Sequence, residues 1–71
     1  MSAKYTFNSR TEFIAYVRIN FKKYDASVIA QIFNALQGEF NADKIIAHNI
    51  CVAMQNNVPV YMISEYVKEG V

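Results

Sequence analysis

Ala42-Asp43-Lys44-Ile45-Ile46-Ala47-His48-Asn49-Ile50-Cys51-Val52-Ala53-Met54 is the stretch on which the fold turns. Ile45, Ile46, Ile50, Ala53 and Met54 recur at helical spacing and make one face. Ala42, Ala47, Cys51 and Val52 carry the apolar character most of the way round. The polar strip is narrow: Lys44, His48 and Gln55, with Asn49 at its edge. Asn41 can cap this helix, and Asp43 falls in its first turn, where the helix dipole favours negative charge. A helix this apolar is expected at the centre of a domain or in a subunit interface.

Two further helices precede it. Ser9-Arg10-Thr11-Glu12 has the capping-box form, in which a serine hydroxyl accepts from the amide three residues on. Phe13, Val17, Phe21 and Tyr24 follow as one stripe with Tyr16 beside it, which predicts a first helix over Arg10 to Lys23. Asp25-Ala26-Ser27 is the next start signal. Val28, Ile29, Ile32, Phe33 and Leu36 give a second helix an apolar face from Ala26 to Gln37, with Gly38 as its stop. Residues 1–8 read as an extended arm, because Tyr5 and Phe7 alternate with Lys4, Thr6 and Asn8. An arm that short must dock on the rest of the chain.

On the C-terminal side, Asn56-Asn57 ends the third helix and Pro59 suits the first turn of a fourth. Val60, Ile63 and Val67 place that helix over Val58 to Glu69, closed by Gly70. The whole chain, 1–71, is then one all-α domain: a compact bundle of four helices over 9–70 with an N-terminal arm. The rival is an α+β fold with short N- and C-terminal strands. Residues 58–63 are rich in strand formers, and the chain has eight Ile, seven Val and one Leu.

Composition narrows the function classes. With 18% charged residues and a net charge of +1, the chain is not disordered by composition. Cys51 stands alone, so no disulfide scaffold is expected. No apolar run approaches the ~18 residues of a membrane span, and no secretory signal opens the chain. A cytoplasmic, reducing location is the expectation, with no membrane partner. Burial and ordering nearly cancel in a domain this small. With neither disulfide nor metal as a staple, self-association as a homodimer or larger homo-oligomer is expected to supplement the core.

Chemistry-bearing patterns are sparse. His48 and Cys51 are three residues apart, but a closed zinc site needs four ligands. Cys–His catalysis would need an orienting group, an oxyanion site and a cleft. Glu65 and Glu69 read as a solvated pair beside Lys68. Gly38 and Gly70 sit at expected helix ends, so no phosphate-cradling loop is present. The expectation is a non-enzyme with no cofactor and no metal.

Charge is segregated along the chain. Residues 1–24 carry a local +4 and residues 25–71 a local −3. Arg10, Arg18, Lys22 and Lys23 form a candidate partner-binding basic patch, suited to phosphates or to an acidic protein surface. Ten of 71 residues are Phe or Tyr, and five tyrosines exceed what so small a core satisfies. Tyr16, Ile46, Ile50, Met54, Tyr61 and Tyr66 are therefore the candidate self-association or partner interface.

Residues 45–67 also resemble a helix-turn-helix motif. Ala53 stands four residues before Asn57, and Val58 and Ile63 fit its buried positions. The resemblance implies DNA recognition by the fourth helix, which would offer Tyr61, Ser64, Glu65 and Lys68 with no Arg. The reading is a non-catalytic small regulator or inhibitor that binds another protein and self-associates. Short chains with many Asn, here seven, evoke proteins of phages and mobile elements, by association only. The alternatives are a DNA-binding regulator, with nucleic acid as partner, and an oligomer that sequesters a nucleotide or other small ligand between subunits.

Overall fold

The computed structural model describes Phe7, residues 9–39 and residues 43–69. Four helices follow in order: α1, Arg10–Asn20; α2, Ala26–Glu39; α3, Asp43–Gln55; and α4, Val60–Lys68. No strand occurs among the described residues. The all-α expectation holds, and residues 60–68 are helix rather than strand. The extended arm and its Tyr5, the Asn41 cap and the Gly70 closure lie outside the described residues.

Local signals account for the starts of α1 and α2. The Ser9 hydroxyl accepts from the Glu12 amide at 3.2 Å, satisfying one of the unpaired N–H groups that open α1. The Asp25 carboxylate accepts from both the amide and the hydroxyl of Ser27, each at 2.9 Å, and so caps α2. Those two donors hold the Asp25 carboxyl below its ordinary pKa. The start of α4 is different: Pro59 is the N-cap rather than a first-turn residue, and its side chain makes no capping bond.

Two helix ends depart from expectation. α1 stops at Asn20, three residues before the predicted Lys23, with Phe21 at φ −127° and ψ 63°. The early end lets Tyr24 turn inward, where its hydroxyl donates to the Val58 carbonyl at 3.0 Å. Gly38 does not stop α2, which continues through it to Glu39. The end of α3 is as expected, with Asn57 at φ 62°. The Val58 amide donates to the Ala53 carbonyl and the Asn57 amide to the Met54 carbonyl, each at 3.0 Å. This is a Schellman closure, with Asn in the left-handed position.

α2 and α3 each pack against all three other helices, whereas α1 and α4 do not touch each other. The core therefore lies along α2 and α3, with α1 and α4 as outer walls. Ile29, Phe33 and Leu36 of α2 meet Ile46, Ala47, Ile50, Cys51, Ala53 and Met54 of α3. α1 contributes Phe13 and Val17, and α4 contributes Ile63 and Val67. Phe7 docks on this core, its ring edge-on to both Phe13 and Tyr16 at 5.3 Å between centroids. The accessible surface is 4651 Å², close to the roughly 4,500 Å² expected of a compact 8.1 kDa chain.

Candidate partner-binding surface

The apolar face of the third helix is enclosed by the chain itself. Ile46, Ile50 and Met54 are at most 1% exposed within the single chain. They were expected at an interface, and the correction has a simple cause. α3 is flanked by α1, α2 and α4, and together these cover what the sequence pattern leaves apolar. Self-association through α3 loses its support, as does a ligand pocket formed between subunits around it. Ile45 is the exception, 62% exposed in the first turn of the helix.

Cys51 shares the core. Burial pushes its thiol up to about 12, so it stays protonated and is a poor nucleophile at neutral pH. His48 is half-buried on the same helix. No group of three or more metal-ligating side chains occurs among the described residues.

The basic patch divides. Arg10 and Arg18 line one shallow groove of about 290 Å³ on α1, with Thr11, Ile14, Ala15 and, from α2, Ala30. Ile14 stands at its middle, with Arg10 one turn before it and Arg18 one turn after. The Arg10 guanidinium also donates to the Asn34 side-chain carbonyl, which ties it across to α2. Lys23 is not part of this groove. Its ammonium donates to the Asn57 side chain at the α3–α4 turn and stands 5.5 Å from the centre of the Tyr24 ring. Lys22 is exposed and does not line the groove.

The tyrosines divide too. Tyr16 is half-buried, its ring 6.1 Å from that of Phe21. Tyr66 is half-buried, and its hydroxyl accepts from Asn56 at 3.2 Å. Tyr61 is 83% exposed on the outer face of α4, beside Met62 at 46%. Glu65, one turn beyond Tyr61, is exposed on the same helix, and Glu69, its C-cap, is exposed just beyond it.

Sequence reasoning named Arg10, Arg18 and Tyr61 as candidates but not Ile14, Ala15 and Ala30, which line the groove with the two arginines. The available signal was small residues at one-turn spacing: Ala15 lies one turn beyond Thr11 and Ala30 one turn beyond Ala26. Between its two cationic walls, the groove has an apolar floor wide enough for one or two side chains. It lies at the lower limit of the roughly 300–1,000 Å³ of sites that enclose small molecules. Arginine pairs carboxylates in a two-pronged geometry and stacks on aromatic rings, so the groove suits an acidic segment with an apolar or aromatic anchor. No helix among the described residues is long and apolar enough to cross a membrane. No family model, curated protein or solved structure matches the chain.

Proposed function

We propose that this chain is a non-catalytic regulatory or inhibitory protein that occupies an acidic surface of another protein through the α1–α2 groove. The observation that carries the reading is the placement of Arg10 and Arg18 one turn to either side of Ile14, over Ala15 and Ala30. Two guanidinium groups supply specificity for carboxylates, and the small-residue floor supplies apolar contact. The buried, protonated thiol of Cys51 favours a binder over a catalyst. The setting in this reading is cytoplasmic, where a lone reduced cysteine is ordinary.

The test uses two helical peptides, one with Glu spaced one turn from Tyr and Leu anchors, and one with Lys in place of Glu. The acidic peptide should bind and should perturb the Ala15 and Ala30 amide resonances. The double variant Arg10→Ala/Arg18→Ala should weaken it at least about ten-fold, or ~1.4 kcal/mol. Equal binding of the lysine peptide, or no loss in the double variant, would sink the reading.

One observation favours a second reading as a helix-turn-helix regulator. The left-handed turn at Asn57 joins α3 to α4, with Ala53 and Ile63 fully buried at the junction. Against it, Glu65 of α4 and its C-cap Glu69 are exposed where phosphates would lie. Gel shifts on random duplex separate the two readings. Duplex binding that falls by orders of magnitude between about 50 and 200 mM salt would favour DNA.

A further inference from the structure

We infer that the outer face of α4 of a second copy of this chain docks in the Arg10–Arg18 groove, so that copies associate head to tail. The inference rests on the groove being a protein-binding surface and names one occupant that the chain itself supplies. Three observations carry it. First, the two surfaces are complementary in both charge and spacing. The groove is lined by Ile14 with an arginine one turn, about 6 Å along the helix axis, to either side in α1. α4 presents the exposed ring of Tyr61 with the Glu65 carboxylate one turn away. With Tyr61 over Ile14, Glu65 meets one arginine in either direction of docking, and the other arginine is left to stack on the ring.

Second, Tyr61 is the most exposed of the large apolar side chains among the described residues, and Met62 beside it is also wet. Together they form the apolar part of the key. Third, α1 and α4 are opposite walls of the bundle and do not touch. The α4 face cannot fill the groove of its own chain, so a second molecule must bring it. The segregation of +4 onto residues 1–24 and −3 onto residues 25–71 favours the same polarity. Because groove and key are different surfaces, the contact is heterologous: every added copy presents a fresh groove or a fresh α4, and growth is not limited to a pair.

The experiment is weight-average mass by light scattering on the full chain, from about 10 µM to about 1 mM, bracketing a weak contact. The wild-type mass should start at 8.1 kDa and more than double across the series. Two double variants, Arg10→Ala/Arg18→Ala and Tyr61→Ser/Glu65→Ser, alter exposed positions and should stay folded with a cooperative thermal transition, the first losing only the exposed Arg10–Asn34 contact. Each alone should stay at 8.1 kDa throughout. Mixed in equal amounts, they should form a 1:1 pair and nothing larger, because one intact groove and one intact α4 remain. A wild-type chain that stays at 8.1 kDa at every concentration overturns the inference, as does either variant associating alone or a mixture that fails to pair. If the acidic peptide still binds the wild-type groove in that case, only the self-contact falls. If peptide and self-contact both fail, the groove is not a protein-binding surface.

Discussion

α3 and α4 are neighbours in sequence and in space, and both are rich in apolar residues, yet they meet water in opposite ways. α3 carries Ile46, Ala47, Ile50, Cys51, Ala53 and Met54 into the core. α4 buries Ile63 and Val67 and leaves Tyr61 and Met62 in solvent. The difference follows from position in the bundle rather than from hydrophobicity. α3 has three helices around it, and α4 packs only on α2 and α3. The number of walls decides how much of an apolar helix is covered, and no local pattern reports it.

The largest expected effect tests that contrast within α3 itself. Ile45 and Ile46 are adjacent, but Ile45 is in solvent and Ile46 is enclosed. Ile46→Asp strands a carboxylate in the core without a partner, a cost of several kcal/mol. That exceeds the roughly 3–5 kcal/mol a core of this size supplies, so no cooperative thermal transition should remain. Ile45→Asp should shift the midpoint by no more than about 4 °C, since it alters an exposed first-turn site. Calorimetry or circular dichroism on both variants checks this. Similar behaviour of the two would mean that α3 is not the centre of the bundle.

The same contrast explains what was legible in the sequence. The caps at Ser9 and Asp25 are local devices, set by residues two and three positions away, and they are where the pattern puts them. The left-handed closure at Asn57 is equally local. The end of α1 is not. It is set by the reach of Tyr24 to the Val58 carbonyl, thirty-four residues on, and no helical propensity near Lys23 encodes that. The groove was half legible for the same reason. Arg10 and Arg18 lie on one face of one helix, which periodicity shows, while Ala30 joins them only once α1 and α2 are laid together. The interface assigned to Ile46, Ile50 and Met54 failed because the pattern reveals apolarity but not the cover that other helices provide.

A middle-sized effect comes from alkaline pH. Cys51 of α3 has its thiol pushed up to about 12 by burial, and burial also raises the Tyr24 hydroxyl. An unfolded cysteine loses its proton near pH 8.5. The folded chain therefore holds a proton that the unfolded chain gives up, and raising the pH favours unfolding. The contribution is complete below about pH 8.5 and declines progressively from there toward about pH 12. Urea midpoints should fall between pH 8 and pH 10.5 in the wild type and more gently in Cys51→Ala. In the native protein a thiol reagent should label Cys51 only as fast as the chain opens. Labelling at the rate of a free cysteine would show that α3 is wet.

The smallest effect lies at the hinge between the two helices, where Asn57 holds φ 62°. A side chain with a Cβ is disfavoured there by roughly 1–2 kcal/mol, less for asparagine, and glycine is free of the cost. Asn57→Ala should therefore cost about 1 kcal/mol, whereas Asn57→Gly should cost almost nothing. Both variants remove the side chain that accepts from the Lys23 ammonium, an exposed contact of a charged group whose contribution is small. Comparing them separates backbone from side chain. If Ala and Gly destabilise equally, the Lys23 contact closes the turn. If only Ala does, the turn is held by backbone geometry, through the Val58 and Asn57 amides donating back into the last turn of α3. The second outcome is expected, because those two bonds close the helix whatever side chain stands at position 57.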